Sequence, residues 1–245
     1  MERSKGFTGS TLKLVAMSTM LIDHVAAVLL TRMYLAGWVG AEFYNVIFVL
    51  RLIGRVAFPI YCFLLVEGFL RTGNFKKYLL RMVLFAFVSE IPFDLSLSSE
   101  VIYLEHQNVM FTMTIGLLAM YGMKMVAEKK LLGGKYLVVQ LLIAVVAAGV
   151  ATLLKTDYSW GGVLCICAMY LFKASNARRA LLGNAFLIII STLEVAGLFS
   201  VPLIGGYNGE RGLKMKYFFY AFYPVHLLLL YILCVLLGIG FISAV

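Results

Sequence analysis

Asp23 and His24 stand side by side in STMLIDHVAAVLL (Ser18–Leu30), a run with no other charged residue. A charge near the middle of a membrane helix is unfavourable by about 2.5–3.5 kcal/mol on insertion scales. Such a residue is therefore kept for a partner or a task. An imidazole with a carboxylate nearby suits general-base work, because its ordinary pKa lies near neutrality. Successive residues on a helix point about 100° apart, so Asp23 is expected to reach an arginine on another segment rather than to orient His24.

Four further segments bring polar groups to the same level. Arg51 and Arg55 lie in VLRLIGRVAFPIYCFLLVEGF, Glu90 and Asp94 in FVSEIPFDL. His106, Gln107 and Asn108 open the next apolar run, and Tyr223 and His226 lie in FYPVHLLLL. Each charged pair is spaced by four, which places both members on one helix face. Lys13 and His24 are separated by nearly three turns, so they also share a face, about 16 Å apart along the axis. Pro59 and Pro92 free carbonyls near these pairs, a pattern tolerated where a helix lines a polar cavity. Together these residues predict a wet cleft with a basic shaft leading away from it. Arginines there suit phosphates or a carboxylate. Two chemistries fit: group transfer from a phosphate-bearing donor to an acceptor activated by histidine, or a proton-coupled transport relay.

Each residue also has a plainer reading. Asp23 could only brace Arg51 or Arg55. Asp94 is expected to be solvated, and Glu67 to be an edge charge. His106 could be a cap, and Tyr223 and His226 interfacial anchors. Convergence of ionisable groups at one depth is what those readings leave unexplained.

The elements that hold these residues are membrane helices. The chain is 62% hydrophobic and 13% charged, with a mean hydropathy of +0.96; a soluble domain is nearer half apolar and a quarter charged. About eight segments are long enough to span, as helices because lipid cannot satisfy open backbone. They are Thr11–Thr31, Phe43–Phe69, Tyr78–Leu95, Val109–Val126, Tyr136–Leu154, Trp160–Phe172, Leu181–Val201 and Tyr217–Ile239. The first is too long for a secretory signal and is expected to remain. The expected fold is one all-α transmembrane bundle over residues 1–245.

The net charge of +9 lies in short clusters between apolar runs, which reads as cytoplasmic loops and not as a nucleic-acid surface. Arg3, Lys5 and Lys13 form one cluster; Arg71, Lys76, Lys77 and Arg81 a second; Lys124, Lys129, Lys130 and Lys135 a third; Lys173, Arg178 and Arg179 a fourth. Loops between them carry Arg32 with Glu42, Glu100 with Glu105, and Lys155 with Asp157. Both termini are thus expected in the cytoplasm. The loop GGYNGERGLKMKY, with Arg211, Lys214 and Lys216, is then an outer loop with the wrong sign. The four cysteines (Cys62, Cys165, Cys167, Cys234) lie in apolar segments and read as buried hydrophobes. No metal site is expected, and no P-loop, G-x-S-x-G elbow or H-E-x-x-H is present.

In five stretches the chain resembles the TraX family of membrane proteins, whose plasmid-borne members acetylate the amino terminus of conjugative pilin. These are LKLVAMSTMLIDHVA (Leu12–Ala26), RLIGRVAFPIYCFLLVEGF (Arg51–Phe69), RMVLFAFVSEIPFDL (Arg81–Leu95), HQNVMFTMTIGL (His106–Leu117), and YNGERG with FYAFYPVHLLLL. A looser similarity reaches larger acyl-coenzyme A-dependent membrane acyltransferases, through Lys13 with His24 and through Arg51, Arg55, Phe58, Pro59, Gly68 and Phe69. The chain departs from them in having Lys13 where arginine is usual, and about eight helices in place of ten. The resemblance implies a multi-pass acetyltransferase of the bacterial cytoplasmic membrane, surrounded by lipid. It would use acetyl-coenzyme A on an extracytoplasmic peptide amino terminus or surface glycan. His24 would be the base, with Asp23, His106, Asn108 and His226 completing the catalytic set. Lys13, Arg51, Arg55 and Tyr223 would attend the coenzyme, and Asn108 or Tyr223 the oxyanion.

Overall fold

The computed structural model describes residues 6–128, 136–172, 174–214 and 216–244. Arg3, Lys5, Lys129, Lys130, Lys135 and Lys173, which entered the orientation expectation, lie outside the described residues, as does the side chain of Lys216.

The described chain is helical, with no strand. Helix α1 runs Gly9–Leu35, α2 Phe43–Arg71, α4 Val109–Glu128 and α5 Tyr136–Leu153. Helices α3 (Phe75–Leu97), α6 (Ser159–Leu171) and α7 (Asn176–Ile190) are shorter or more charged. Thr192–Gly205 forms α8, and Lys216–Leu236 forms α9. Five helices, in α1, α2, α4, α5 and α9, are long and apolar enough to cross a hydrocarbon core.

The ends of these helices follow local chemistry. Thr8 caps α1 by accepting from the Thr11 amide at 3.2 Å, and Asn74 caps α3 by accepting from that of Lys77 at 2.9 Å; both occupy donors that a helix start leaves open. Helix α2 tightens at Arg55–Val56, whose amides donate to Leu52 and Ile53, three residues back. Pro59 explains the break, since it has no N–H to offer the Arg55 carbonyl. Helix α1 changes to π-helical winding over Val25–Leu30, directly after His24.

The seventh expected span, Leu181–Val201, is two elements. Ser191 is extended (φ −151°, ψ 136°) and caps α8 by accepting from the Leu193 amide. The chain then doubles back: Asn184 on α7 donates to Ser200 on α8 at 3.2 Å, and Gly205 lies against Ala177. The first eight residues of α8 are 3₁₀, and a rise of about 2.0 Å per residue stretches all fourteen to about 25 Å, close to the length of α7.

That extra pass changes where the chain ends lie. Phe7 and Gly9 donate to Gly206 and Glu210, and Arg71 donates to Gly209. The GGYNGERGLKMKY loop therefore sits at the Gly9 end, beside the second basic cluster, and not at the opposite end as the loop count predicts. The Ala244 amide donates to Leu97, and Arg32 donates to Ile242 at 2.7 Å, so the last described residues lie at the Leu35 end. The expectation that both termini share a side does not fit: Gly9 and Ala244 lie at opposite ends of the bundle.

Arg32, expected as a loop charge, is fully buried. Its guanidinium donates to the carbonyls of Val28, Leu95, Ser96 and Ile242 and to the Ser99 hydroxyl. It thereby fills carbonyls that the end of α3 leaves open and ties α1, α3 and the last segment together.

Candidate active site

Asp23 and His24 open in different directions from α1, as their adjacency requires. Asp23 meets Arg55 at 2.7 Å and Arg51 at 3.1 Å, so one carboxylate bridges both arginines of α2. Gly54 makes this approach possible, because any Cβ there would occupy the Asp23 side chain's place. Arg55 turns its other nitrogen to Glu194 of α8 at 3.1 Å and to the Tyr158 hydroxyl at 3.4 Å. This network is buried and its charges are balanced within it. Arg51 is the exception, with a side chain 36% exposed.

His24 faces α9. Its Nδ1 lies 2.6 Å from Nε2 of His226, and Nδ1 of His226 lies 2.6 Å from the Phe222 carbonyl. A carbonyl can only accept, so His226 Nδ1 carries a proton and its Nε2, in the neutral ring, accepts from His24 Nδ1. That leaves the Nε2 lone pair of His24 without a donor among the described residues, and His24 lines a cavity of about 360 Å³. Asp23, Arg51, Arg55, His106, Asp157, Tyr158 and Tyr223 also line this cavity. Tyr158 holds a left-handed backbone (φ 59°) and stacks on Phe58, with ring centres 3.7 Å apart. A non-glycine residue in that conformation is held there by its surroundings, as happens at functional sites.

On another wall His106, in the loop between α3 and α4, lies 3.6 Å from Asp157. The Asp157 carboxylate raises the His106 pKa above its ordinary value, against the opposing effect of burial.

Asn108 does not join the cavity lining. Its amide nitrogen donates to the Ala86 carbonyl at 2.8 Å and to Glu90, and its oxygen caps α4 at the Met110 amide. With both N–H groups committed it has none for an oxyanion. Asp94, expected in solvent, is buried and accepts from the Tyr103 amide at 2.9 Å. Glu67 is also no edge charge, for it pairs with Arg71 and Arg179. Glu194 was the residue sequence reasoning missed. It stands in an apolar run, and Ser191-x-x-Glu194 carries the signature of a helix start.

Lys13 is not with Arg51 and Arg55. It lines a second cavity, of about 540 Å³, with Arg71, Arg81, Arg211, Glu67 and Tyr78. The two cavities share Tyr61, Met110, Met113, Phe219 and Tyr220 in their walls, so they abut along the bundle. Lys13 stands over the Phe219 ring at 4.8 Å.

Residues 8–234 match the family described as TraX protein. The chain belongs to the TraX family. A protein named probable fimbrial assembly protein FimC, serogroup H1, from Dichelobacter nodosus is 30% identical over 94% of this chain and 97% of its own length. No solved structure matches the chain. The family match extends from just before α1 into α9, and so takes in both halves of the histidine pair.

Proposed function

We propose that this TraX-family protein is an integral acetyltransferase of the bacterial cytoplasmic membrane. It takes acetyl-coenzyme A from the Gly9 side and serves an acceptor entering at the Leu35 end. Assigning the Gly9 end to the cytoplasm is supported by charge. Arg71, Lys76, Lys77, Arg81, Lys124, Arg178, Arg179, Arg211 and Lys214 all belong to that end, and the α8–α9 loop no longer stands against the positive-inside rule. The relative named for fimbrial assembly favours a pilin-like peptide amine as the acceptor, with surface glycan hydroxyls second.

One observation carries the reading: an imidazole pair anchored to a carbonyl, whose member His24 keeps an uncommitted lone pair and lines a cavity. Acetyl-coenzyme A supplies a thioester carbonyl as electrophile. His24 Nε2 removes a proton as the acceptor nitrogen forms the C–N bond. The C–S bond breaks, and His24 returns that proton to the leaving sulfur. His226 fixes the tautomer and stabilises the transient imidazolium by accepting from Nδ1. Arg51 and Tyr223 line the same cavity, and in this reading they would meet the developing oxyanion.

The test is purified protein in lipid nanodiscs, given labelled acetyl-coenzyme A and a peptide bearing a pilin-like amino terminus. Transfer that depends on His24 supports the proposal. Full turnover by H24A, or proton-driven solute flux with no coenzyme A released, overturns it.

A further inference from the structure

Among the described residues the second cavity has an unbalanced charge. Four cations line it, Lys13, Arg71, Arg81 and Arg211, against the single carboxylate of Glu67. Glu67 is already shared by Arg71 at 2.9 Å and Arg179 at 3.2 Å. Arg81 has no hydrogen bond or ion pair among the described residues. Its Nε is buried without a partner, and its guanidinium only overlies the Tyr78 ring at 5.9 Å. Lys13 and the Arg211 side chain likewise meet no acid among the described residues. Buried or half-buried cations are normally paired. Lys13 and Arg81 are half-buried cations left without acids, and with the exposed Arg211 at the same hollow they form a receptor for an anion of more than one charge.

The cavity also has a shape. Tyr61, Tyr78, Tyr207, Phe219 and Tyr220 give it aromatic walls, and its volume lies in the range of small-molecule sites. It meets the histidine cavity across Tyr61, Met110, Met113, Phe219 and Tyr220. Methionines are unbranched and adaptable, which suits a seam through which a slim chain passes. From Lys13 to His24 the rise along α1 is about 16 Å, so a ligand held at both places is long and narrow, with its anionic end at Lys13.

We infer that this cavity, through Arg81, Arg211 and Lys13, holds the phosphorylated nucleotide end of the acyl donor. Its acyl-bearing arm crosses the aromatic and methionine seam to His24. The inference deepens the acetyltransferase reading and rests on it. It moves phosphate recognition from Arg51 and Arg55, where Asp23 and Glu194 answer the charge, to the Gly9 end.

The probe is adenosine 3′,5′-bisphosphate, which carries the nucleotide and phosphates but no thioester. Binding is measured by calorimetry to protein in phosphatidylcholine nanodiscs, with glycerol phosphate as a lipid-headgroup surrogate. Expected are saturable binding of the bisphosphate, none of glycerol phosphate, and weakening of about tenfold or more in R81A and in R211A, the loss of a charge-assisted contact. K155A is the control, since Lys155 lies at the other end with Glu105. Arg211 sits on an exposed loop, so R211A decides the matter even where R81A fails to fold. Failure of the bisphosphate to bind, binding unchanged in R211A, or glycerol phosphate binding equally well each overturns the inference. The acetyl-transfer assay separates the two proposals. Transfer with bisphosphate binding untouched in R211A sinks the cavity assignment alone, whereas R211-dependent bisphosphate binding without transfer sinks the enzyme reading alone.

Discussion

The two cavities of this bundle share a wall and differ in how their charges are answered. Around the histidine cavity Arg51 and Arg55 neutralise Asp23 and Glu194, and His106 faces Asp157. Around the second cavity Lys13, Arg81 and Arg211 are left without acids among the described residues. The difference teaches how to read polar residues in an apolar chain. Charges that close on each other hold helices together, whereas charges left open are available to a ligand. Arginine at Arg55 and arginine at Arg81 are the same residue type on successive helices in opposite surroundings, one answered by Asp23 and Glu194 and the other by no acid among the described residues.

The sharpest way to break this contrast is at His24. H24A is expected to lower acetyl transfer by about two to four orders of magnitude, the range general-base catalysis supplies. Bisphosphate binding at the other cavity should stay intact; joint loss of both would mean that the cavities are one structural unit. Next comes R55M, which leaves Glu194 and part of Asp23 as uncompensated buried carboxylates. A loss of stability of about 3–5 kcal/mol is expected, read as thermal unfolding in detergent and recovered in part by adding E194Q. If R55M alone were as stable as the parent, the network would not be the brace described above.

A smaller change tests the approach of α1 to α2. G54A puts a methyl group where the Asp23 side chain lies, and such overpacking is unfavourable by about 1–3 kcal/mol; transfer should fall with it, because Asp23 and His24 move together. The smallest expected effect is at His106. Its folded pKa is raised, so the stability it contributes is fully present below its unfolded value, and lost as pH rises through the folded one. Both partners are about a third exposed, so the pair contributes less than about 1 kcal/mol after screening. D157N should therefore remove a slight acid-side stabilisation, seen as unfolding midpoints that no longer fall between mildly acidic and mildly alkaline pH.

Much of this was legible in the chain. Apolar runs gave helices, and the two caps at Thr8 and Asn74 are polar side chains at run starts. Asp23 was expected to reach an arginine, because neighbours on a helix diverge, and it reaches both. The break at Ser191 was written in Ser191-x-x-Glu194 but was hidden by apolar residues on each side, which make α7 and α8 read as one span. That single turn moved the α8–α9 loop and Ala244 to the ends opposite those expected. Arg32 read as a loop charge because the carbonyls that bury it come from Leu95, Ser96 and Ile242, which no local pattern connects to it.

The amino-acid sequence by itself determined the class of the molecule and its cast. An apolar composition demands helices whose backbone bonds close internally, and the ionisable residues it retains inside them are few enough to name. Only the tertiary structure decided which of those residues are free to act. Neutralisation falls off over a few ångströms, and the contacts that set it join α1 to α2 and α2 to α8, as where Arg55 meets Glu194 across 139 positions of the chain. Spacing along one helix fixes a face, but the charge opposite that face belongs to another helix.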